Sequence, residues 1–175
     1  MDFSKICGVI DAQGYTVNNQ FYPKEVAVVS HKFFMNTLCD IHITKESLSV
    51  NERKSANWVY RYTGLPLDSK DDYWRKSDPN YTTNISGIDT ILVFYNWISC
   101  PDKPIIAVKN KQIIPILKMW DIKYVEFPEQ FDPFSKLIYK MYTSSQCAYH
   151  DKGHKQCALS KANALWNILI LKNTT

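Results

Sequence analysis

The sequence predicts an α/β domain with a mixed sheet of three antiparallel strands and then two parallel ones, flanked by helices. Strand-like runs fill the first 43 residues, which show no helical period. Residues 104–126 have the pattern strand, helix, strand, and a helical period appears in 45–62 and again after residue 157. The chain has 175 residues and no internal repeat, so we expect one domain over 1–175.

Composition excludes several classes of protein. Hydrophobic residues make up 45% and charged residues 22% of the chain, which excludes collagen-like, coiled-coil and fully disordered proteins. No apolar run approaches the roughly 18–20 residues of a membrane span, and the N-terminus lacks the pattern of a secretory signal. We therefore expect no membrane association and an intracellular protein of the cytoplasm or nucleus.

The first strand predicted, Ile6–Asp11, is a short apolar run that ends in a carboxylate. We expect it to be buried and to present Asp11 at its carboxyl end. Phe21–Ser30 is rich in β-branched residues and predicts a second strand, and Phe33–Ile43 a third. The short connections between these runs favour an antiparallel meander.

After this meander the spacing of the apolar residues changes from that of a strand to that of a helix. Residues 45–62 predict a helix, with Ser47 as its cap and Gly64 just beyond its end. Residues 68–84 are polar and rich in turn-forming residues, so we expect a mobile loop there. Residues 85–99 predict a second, mostly buried helix.

The next segment predicts a parallel βαβ unit. Residues 104–108 form its first strand, Asn110 caps the helix that follows to about Trp120, and Pro115 shortens or kinks that helix. Residues 122–126 form the second strand. Two further helices are predicted, over 134–142 and 158–171. This order of elements is that of a ribonuclease H-like layout; a doubly wound fold is less favoured because the first 43 residues predict no helix.

The cysteines indicate metal binding more than disulfides. There are five of them, an odd number in a chain without an export signal, so a disulfide framework is not expected. Two thiols and two imidazoles fall within eleven residues, at Cys147, His150, His154 and Cys157. These donors suffice for a tetrahedral zinc site, because zinc accepts thiolate sulfur and imidazole nitrogen together. The alternative is a loop with two thiols and two exposed histidines.

The same segment resembles the end of the Maelstrom domain. The resemblance rests on Gln146–His150, on Gln156–Leu159, which opens the last helix, and on Pro23–Val26 on an early strand. It implies a ribonuclease H-like fold related to the DEDD-type 3′–5′ exonucleases, with a structural zinc ion. The ligands that it implies are Glu25, Cys147, His150 and Cys157. The rival arrangement is entirely local and uses His154 in place of Glu25.

Few of the acids of a DEDD exonuclease are present. Such enzymes hold two divalent ions, Mg²⁺ or Mn²⁺, with about four acidic residues. Asp11 is in the place of the first acid, but Gln13 stands where the family has Glu, and an amide binds hard cations more weakly than a carboxylate. We therefore expect a degenerate centre in which Asp11 is the one residual catalytic residue. The alternative, an active nuclease, would take its acids from the 68–84 segment or from Asp89, Asp121 or Glu126.

Charge is unevenly distributed along the chain. Residues 1–100 carry 10 basic and 11 acidic residues, and residues 101–175 carry 11 and 6. The basic half suits a nucleic-acid backbone, and the resemblance implies single-stranded RNA or a ribonucleoprotein of a small-RNA pathway as partner. The candidate RNA-binding lysines are Lys109, Lys111, Lys118 and Lys123. Trp120 and Tyr124 lie among them and either stack on bases or belong to the core. A pure protein-interaction module is the remaining alternative.

Overall fold

A computed structural model describes residues 5–32, 34–72, 87–97, 104–128, 149–150 and 157–173. Its five strands are β1 (Ile6–Val17), β2 (Gln20–Ser30), β3 (Phe34–Leu38), β4 (Ile105–Val108) and β5 (Tyr124–Glu126). They form one mixed sheet in the order β3-β2-β1-β4-β5. Strands β1, β2 and β3 pair antiparallel, whereas β1, β4 and β5 pair parallel. The predicted α/β class and mixed sheet are confirmed.

Four α-helices are described: α1 (Val50–Thr63), α2 (Gly87–Trp97), α3 (Ile114–Met119) and α4 (Ala158–Asn173). The helix predicted over 134–142 lies outside the described residues, as do residues 73–84 of the predicted loop. No helix in the described ranges combines the length and the apolar character needed to cross a bilayer.

Strand β1 is six residues longer than predicted, so Asp11 lies in its middle and not at its end. The strand continues to a two-residue hairpin turn at Asn18 and Asn19, whose φ values are 50° and 61°. A type I′ turn requires positive φ at both central residues, which Asn tolerates better than most side chains. At Gly14 a bulge brings the backbone of β2 so close that no Cβ would fit. The Asn-Asn pair was the sequence signal for this hairpin, and the prediction missed it.

Helix α1 begins at a different cap from the one predicted. Ser49, not Ser47, is the N-cap, and it forms a capping box with Glu52. Residues 45–47 form a 3₁₀ turn ahead of the helix. The predicted stop is confirmed, because Gly64 ends α1 with a φ of 70°. In the βαβ unit, Asn110 caps a 3₁₀ turn, and Pro115 lies in the first turn of the short helix α3.

The sheet has a core on each face. On one face, residues such as Val9, Ala27 and Ala107 pack against α4. On the other, residues such as Ile10 and Val108 pack against α2 and α3. Because side chains alternate along a strand, the odd-numbered residues of β1 after Val9 face α4 up to the bulge.

One cysteine forms a disulfide, although the sequence predicts no disulfide framework. Cys7 is disulfide-bonded, whereas Cys39 and Cys157 are thiols. Cys7 precedes the pair Gly8–Ser30 at one end of the β1–β2 ladder, and Glu25 pairs with Gln13 further along it. At about 3.4 Å per residue, this disulfide is remote from Glu25.

A buried lysine anchors the first part of the segment predicted as a loop. Lys24 is 1% exposed, and its Nζ donates to Ser69 Oγ at 2.7 Å and to Asp72 Oδ2 at 2.9 Å. Ser69 Oγ also accepts from the backbone N–H of Ile41 at 2.8 Å. Residues 68–72 are therefore tied to β2 and to the chain after β3.

We predict that Lys24→Met lowers the free energy of unfolding by about 3–5 kcal/mol, because it removes the ammonium that faces the buried carboxylate of Asp72. The double variant Lys24→Met/Asp72→Leu should recover much of this loss, because an apolar pair avoids the cost of burying charge. Urea denaturation measures both, with exposed Lys45→Met as the control. A Lys24→Met loss no larger than that of Lys45→Met would contradict this role.

Candidate metal centre

Glu25 is a fully buried carboxylate near the middle of the sheet. It lies on β2 between β1 and β3, paired with Gln13 and Leu38. Its Oε1 accepts from Asn36 Nδ2 at 3.0 Å, and its Oε2 accepts from the backbone N–H of Ala158 at 2.8 Å. Ala158 is the first residue of α4, so the helix dipole also favours negative charge at this point.

Two residues from the far end of the chain lie against this carboxylate. His150 Nε2 is 3.0 Å from Glu25 Oε2, and Cys157 Sγ is 3.5 Å from Glu25 Oε1. The three ligand atoms lie within 4.8 Å of one another and could hold a metal ion. Of the four ligands that the resemblance implied, the structure brings these three together. Cys147 and the alternative ligand His154 lie outside the described residues.

The orientation of the His150 ring suits a cation at Nε2. Nδ1 faces the carbonyl oxygen of Thr63, the last residue of α1. A carbonyl can only accept, so Nδ1 carries the proton and a neutral ring would point the lone pair of Nε2 at the Glu25 carboxylate. Metal-binding histidines use the same second hydrogen bond to fix the ring.

Without a metal ion, Nε2 of His150 carries a proton that faces the Glu25 carboxylate. Burial by itself lowers the pKa of His150, but hydrogen bonds and charge from Cys157 and Glu25 outweigh it and raise the pKa to about 10. The cluster therefore favours a positive charge between the carboxylate and Nε2, either as an imidazolium proton or as a metal ion.

Sequence reasoning missed the residues that support these ligands. Asn36 belonged to a predicted strand, where Asn is uncommon, and it faces the same side as buried Leu38. A polar residue at an inward-facing strand position is a signal that it hydrogen-bonds a buried group. The Thr63 carbonyl gave no such signal, because any residue at the end of α1 offers the same atom.

Asp11 lies on the same face of the sheet as Glu25. It is 3% exposed, and Gln13 Nε2 donates to its Oδ2 at 3.4 Å. Burial raises the pKa of Asp11 to about 7, nearby Lys161 acts to lower it, and Glu25 adds to the rise. Within the described ranges, His, Cys and acidic side chains do not gather around Asp11 in a group that could hold a metal ion. The alternative acids Asp89, Asp121 and Glu126 are all exposed.

The four candidate RNA-binding lysines fall at two ends of the βαβ unit. Lys109 and Lys111 follow the carboxyl end of β4, whereas Lys118 and Lys123 lie near the amino end of β5. Lys109 Nζ donates to the Pro128 carbonyl at 3.1 Å, and Lys111 Nζ is 3.8 Å from the exposed carboxylate of Glu126.

The two aromatic residues among these lysines pack against the core. Trp120 and Tyr124 are partly buried against the cluster that contains Ile106 and Ile122. This placement favours the core alternative over base stacking for both rings.

Comparison of the chain with protein-family models, curated proteins and solved structures finds no match. The resemblance to the Maelstrom domain therefore remains a prediction from the residues that carry it.

We predict that Asp11→Asn becomes more stable relative to the natural chain as the pH rises from 4 to 8. The pKa of Asp11 is about 7 when folded and 3.8 as its ordinary value, so the folded state favours the protonated acid. The stability that this contributes is complete below pH 4 and is lost as the pH rises to about 7. The free energy of unfolding of Asp11→Asn minus that of the natural chain should therefore grow by up to about 4 kcal/mol over this range, since one pKa unit is about 1.4 kcal/mol.

Urea denaturation at four pH values measures this difference, and Asp71→Asn is an exposed control for the same chemical change. A difference that stays constant with pH would show that Asp11 is ionised in the fold over the whole range.

Proposed function

We propose that the chain is a ribonuclease H-like domain of Maelstrom type that is held together by a structural zinc ion. We further propose that it binds single-stranded RNA, or a ribonucleoprotein of a small-RNA pathway, without a working DEDD centre. The observation that carries the proposal is the cluster of Glu25, His150 and Cys157 beneath the start of α4. The strand order, with three antiparallel strands and two parallel ones, supports the fold assignment.

The donor set fits zinc better than other common metals. It combines a thiol sulfur, an imidazole nitrogen and a carboxylate oxygen. Magnesium and calcium select oxygen ligands, whereas zinc accepts all three types in a tetrahedral site. Cys147, which the resemblance implies as the fourth ligand, would complete a closed site. A closed site has no position for a reactive water, so this zinc would stabilise the fold and take no part in catalysis.

The positions of the ligands explain what the metal would stabilise. Glu25 belongs to β2, Cys157 directly precedes α4, and His150 contacts the end of α1 through Thr63. One ion would thus join the sheet to two helices that are far apart in the sequence. Structural zinc can contribute about 10 kcal/mol or more to the folding of small domains.

RNA binding is supported by charge and by the altered first acid motif. The basic segment 101–175 supplies Lys109 and Lys111 at the carboxyl end of β4, close to Asp11 on the neighbouring strand β1. Gln13 offers an amide where the exonuclease motif has a carboxylate. A site of this kind favours contact with phosphate over two-metal hydrolysis.

Purified protein should contain one zinc ion per chain by elemental analysis, and Glu25→Gln should lose most of it. His154→Ala should retain zinc, because Glu25 takes the position that the local arrangement gives to His154. Loss of the metal should lower the melting temperature by at least about 10 °C, since about 1 kcal/mol corresponds to 2–4 °C in a chain of this size.

Glu46→Gln, an exposed change of the same kind, is the matched control. Substitution with cobalt adds a readout that does not depend on stability, because thiolate ligands give a charge-transfer absorption that Cys157→Ser should weaken. Zinc that is retained by Glu25→Gln and lost by His154→Ala would support the local arrangement instead.

Fluorescence anisotropy should show that a labelled single-stranded RNA binds in a buffer without Mg²⁺ or Mn²⁺. The logarithm of the affinity should fall with the logarithm of salt concentration by about 0.7 for each phosphate contact. Lys109→Gln/Lys111→Gln should weaken binding about tenfold and reduce this slope by about 1–1.5, in line with two lost phosphate contacts. Lys118→Gln/Lys123→Gln tests the other end of the βαβ unit in the same way.

The same RNA should remain intact after incubation with Mg²⁺ or Mn²⁺. Cleavage that disappears in Asp11→Asn would establish an active nuclease and overturn the degenerate centre. Absence of binding at low salt would remove RNA from the proposal and leave the protein-interaction module.

A further inference from the structure

A pocket of about 450 Å³ opens beside Asp11, where β4 ends and β1 continues toward its hairpin. Its walls come from β1, from α1, from α4 and from the turn that leads into α3. Small-molecule sites have volumes of about 300–1,000 Å³, and in open α/β sheets they lie beyond the carboxyl ends of the strands. The size and position of this pocket are those of a ligand site.

The charges of the pocket suit an anion. Among the described residues that line it, Asp11, Lys109 and Lys161 are the ionisable ones. Two lysines and one buried carboxylate line the pocket, so its net charge is positive even when Asp11 is ionised; the Nζ of Lys109 donates to the Pro128 carbonyl. Lys161 is near enough to Asp11 to act electrostatically on it. A single carboxylate beside the Gln13 amide provides too few oxygen ligands for a hard divalent cation.

The walls near this charge are held by hydrogen bonds to β1. Asn110 Nδ2 donates to the Ala12 carbonyl at 2.8 Å, and Gln112 Nε2 lies 3.2 Å from Thr16 Oγ1. These contacts fix the turn that carries Lys109. The pocket is therefore built from ordered polar groups on an edge of β1 that β4 does not cover.

An aromatic ring stands at the rim of the pocket. Trp58 of α1 lines it and is 53% exposed. Its ring packs against that of Tyr62, with centroids 4.4 Å apart and planes tilted by 41°. A large, exposed and supported indole in the same pocket as two lysines combines the two elements that bind nucleotides, a stacking surface and a partner for phosphate.

We infer that this pocket binds one nucleotide unit, with the phosphate at Lys109 and Lys161 and the base on Trp58, and that binding needs no divalent cation. The Lys161 ammonium supplies the positive charge that a metal ion supplies in a two-metal site. The inference rests on the proposed RNA binding for its biological ligand, but the pocket can be tested with mononucleotides alone.

The candidate metal centre positions this pocket. Cys157 and Lys161 are one helical turn apart at the start of α4, and the Lys161 N–H donates to the Cys157 carbonyl at 3.1 Å. Gln13 in the pocket pairs across the sheet with Glu25 in the metal centre. A metal ion that holds the start of α4 on β2 would thereby hold Lys161 over Asp11.

Isothermal titration with uridine monophosphate, uridine and a short single-stranded RNA, each in a buffer without Mg²⁺ or Mn²⁺, tests the inference. The monophosphate should bind at least tenfold more tightly than uridine, and it should compete with the RNA. Lys161→Gln and Trp58→Ala should each weaken binding of the monophosphate about tenfold, the size expected for one phosphate partner or one stacked base. Addition of Mg²⁺ should change the affinity by less than twofold.

Two matched controls lie away from the pocket. Lys45→Gln removes an exposed positive charge, and Tyr60→Ala removes an aromatic ring that is 51% exposed on the same helix as Trp58. Both should bind the monophosphate within twofold of the natural chain. Circular dichroism and zinc content establish that each variant is folded.

The outcomes separate this inference from the proposed function. RNA binding that is unaffected by Lys161→Gln and Trp58→Ala overturns the pocket and leaves the proposed function in place. Monophosphate binding that depends on both residues, without any RNA binding, supports the pocket and contradicts the proposed function. Binding that requires Mg²⁺ overturns the cation-free site, and binding of uridine as tightly as the monophosphate overturns the phosphate role of Lys161.

Discussion

The buried carboxylate of Glu25 constrains the structure more than any other group. A charge in the middle of a sheet is costly unless donors or a cation surround it. Asn36, the first N–H of α4 and His150 all meet this need, and they come from three separate parts of the chain. The start of α4 and the end of α1 are placed where they can serve this one group.

The burial of Glu25 also affects the pocket beside Asp11, because helix α4 contributes to both sites. Helix α4 begins at the carboxylate and continues over the face of β1 that carries Asp11. One turn of helix separates the candidate metal ligand Cys157 from Lys161, so whatever holds the first residue also places the second. The candidate metal centre and the pocket are thus parts of one arrangement, in which the proposed metal ion would give rigidity and the pocket would contact the proposed ligand.

The pocket beside Asp11 differs in its chemistry from a two-metal site. A carboxylate pair at this edge would attract divalent cations, whereas a carboxylate beside an amide and an ammonium attracts an anion. Burial adds to this effect by favouring the neutral form of Asp11. The proposed binding of phosphate therefore does not depend on a complete set of acids for hydrolysis.

The sequence by itself determined the sheet, because β-branched runs and the change from period 2 to 3.6 are local signals. It also identified His150 and Cys157 by their spacing, and Glu25 through the resemblance to the Maelstrom domain, as residues that could hold a metal ion. The sequence also carried the signal for the hairpin at Asn18 and Asn19, but the prediction missed it, and β1 is twice as long as predicted. Only the tertiary structure decided that Asn36 supports Glu25, that Lys24 anchors Ser69 and Asp72, and that Trp58 and Lys161 border Asp11. These contacts join residues 11–150 positions apart, and such pairings depend on strand register and helix placement that no local pattern encodes.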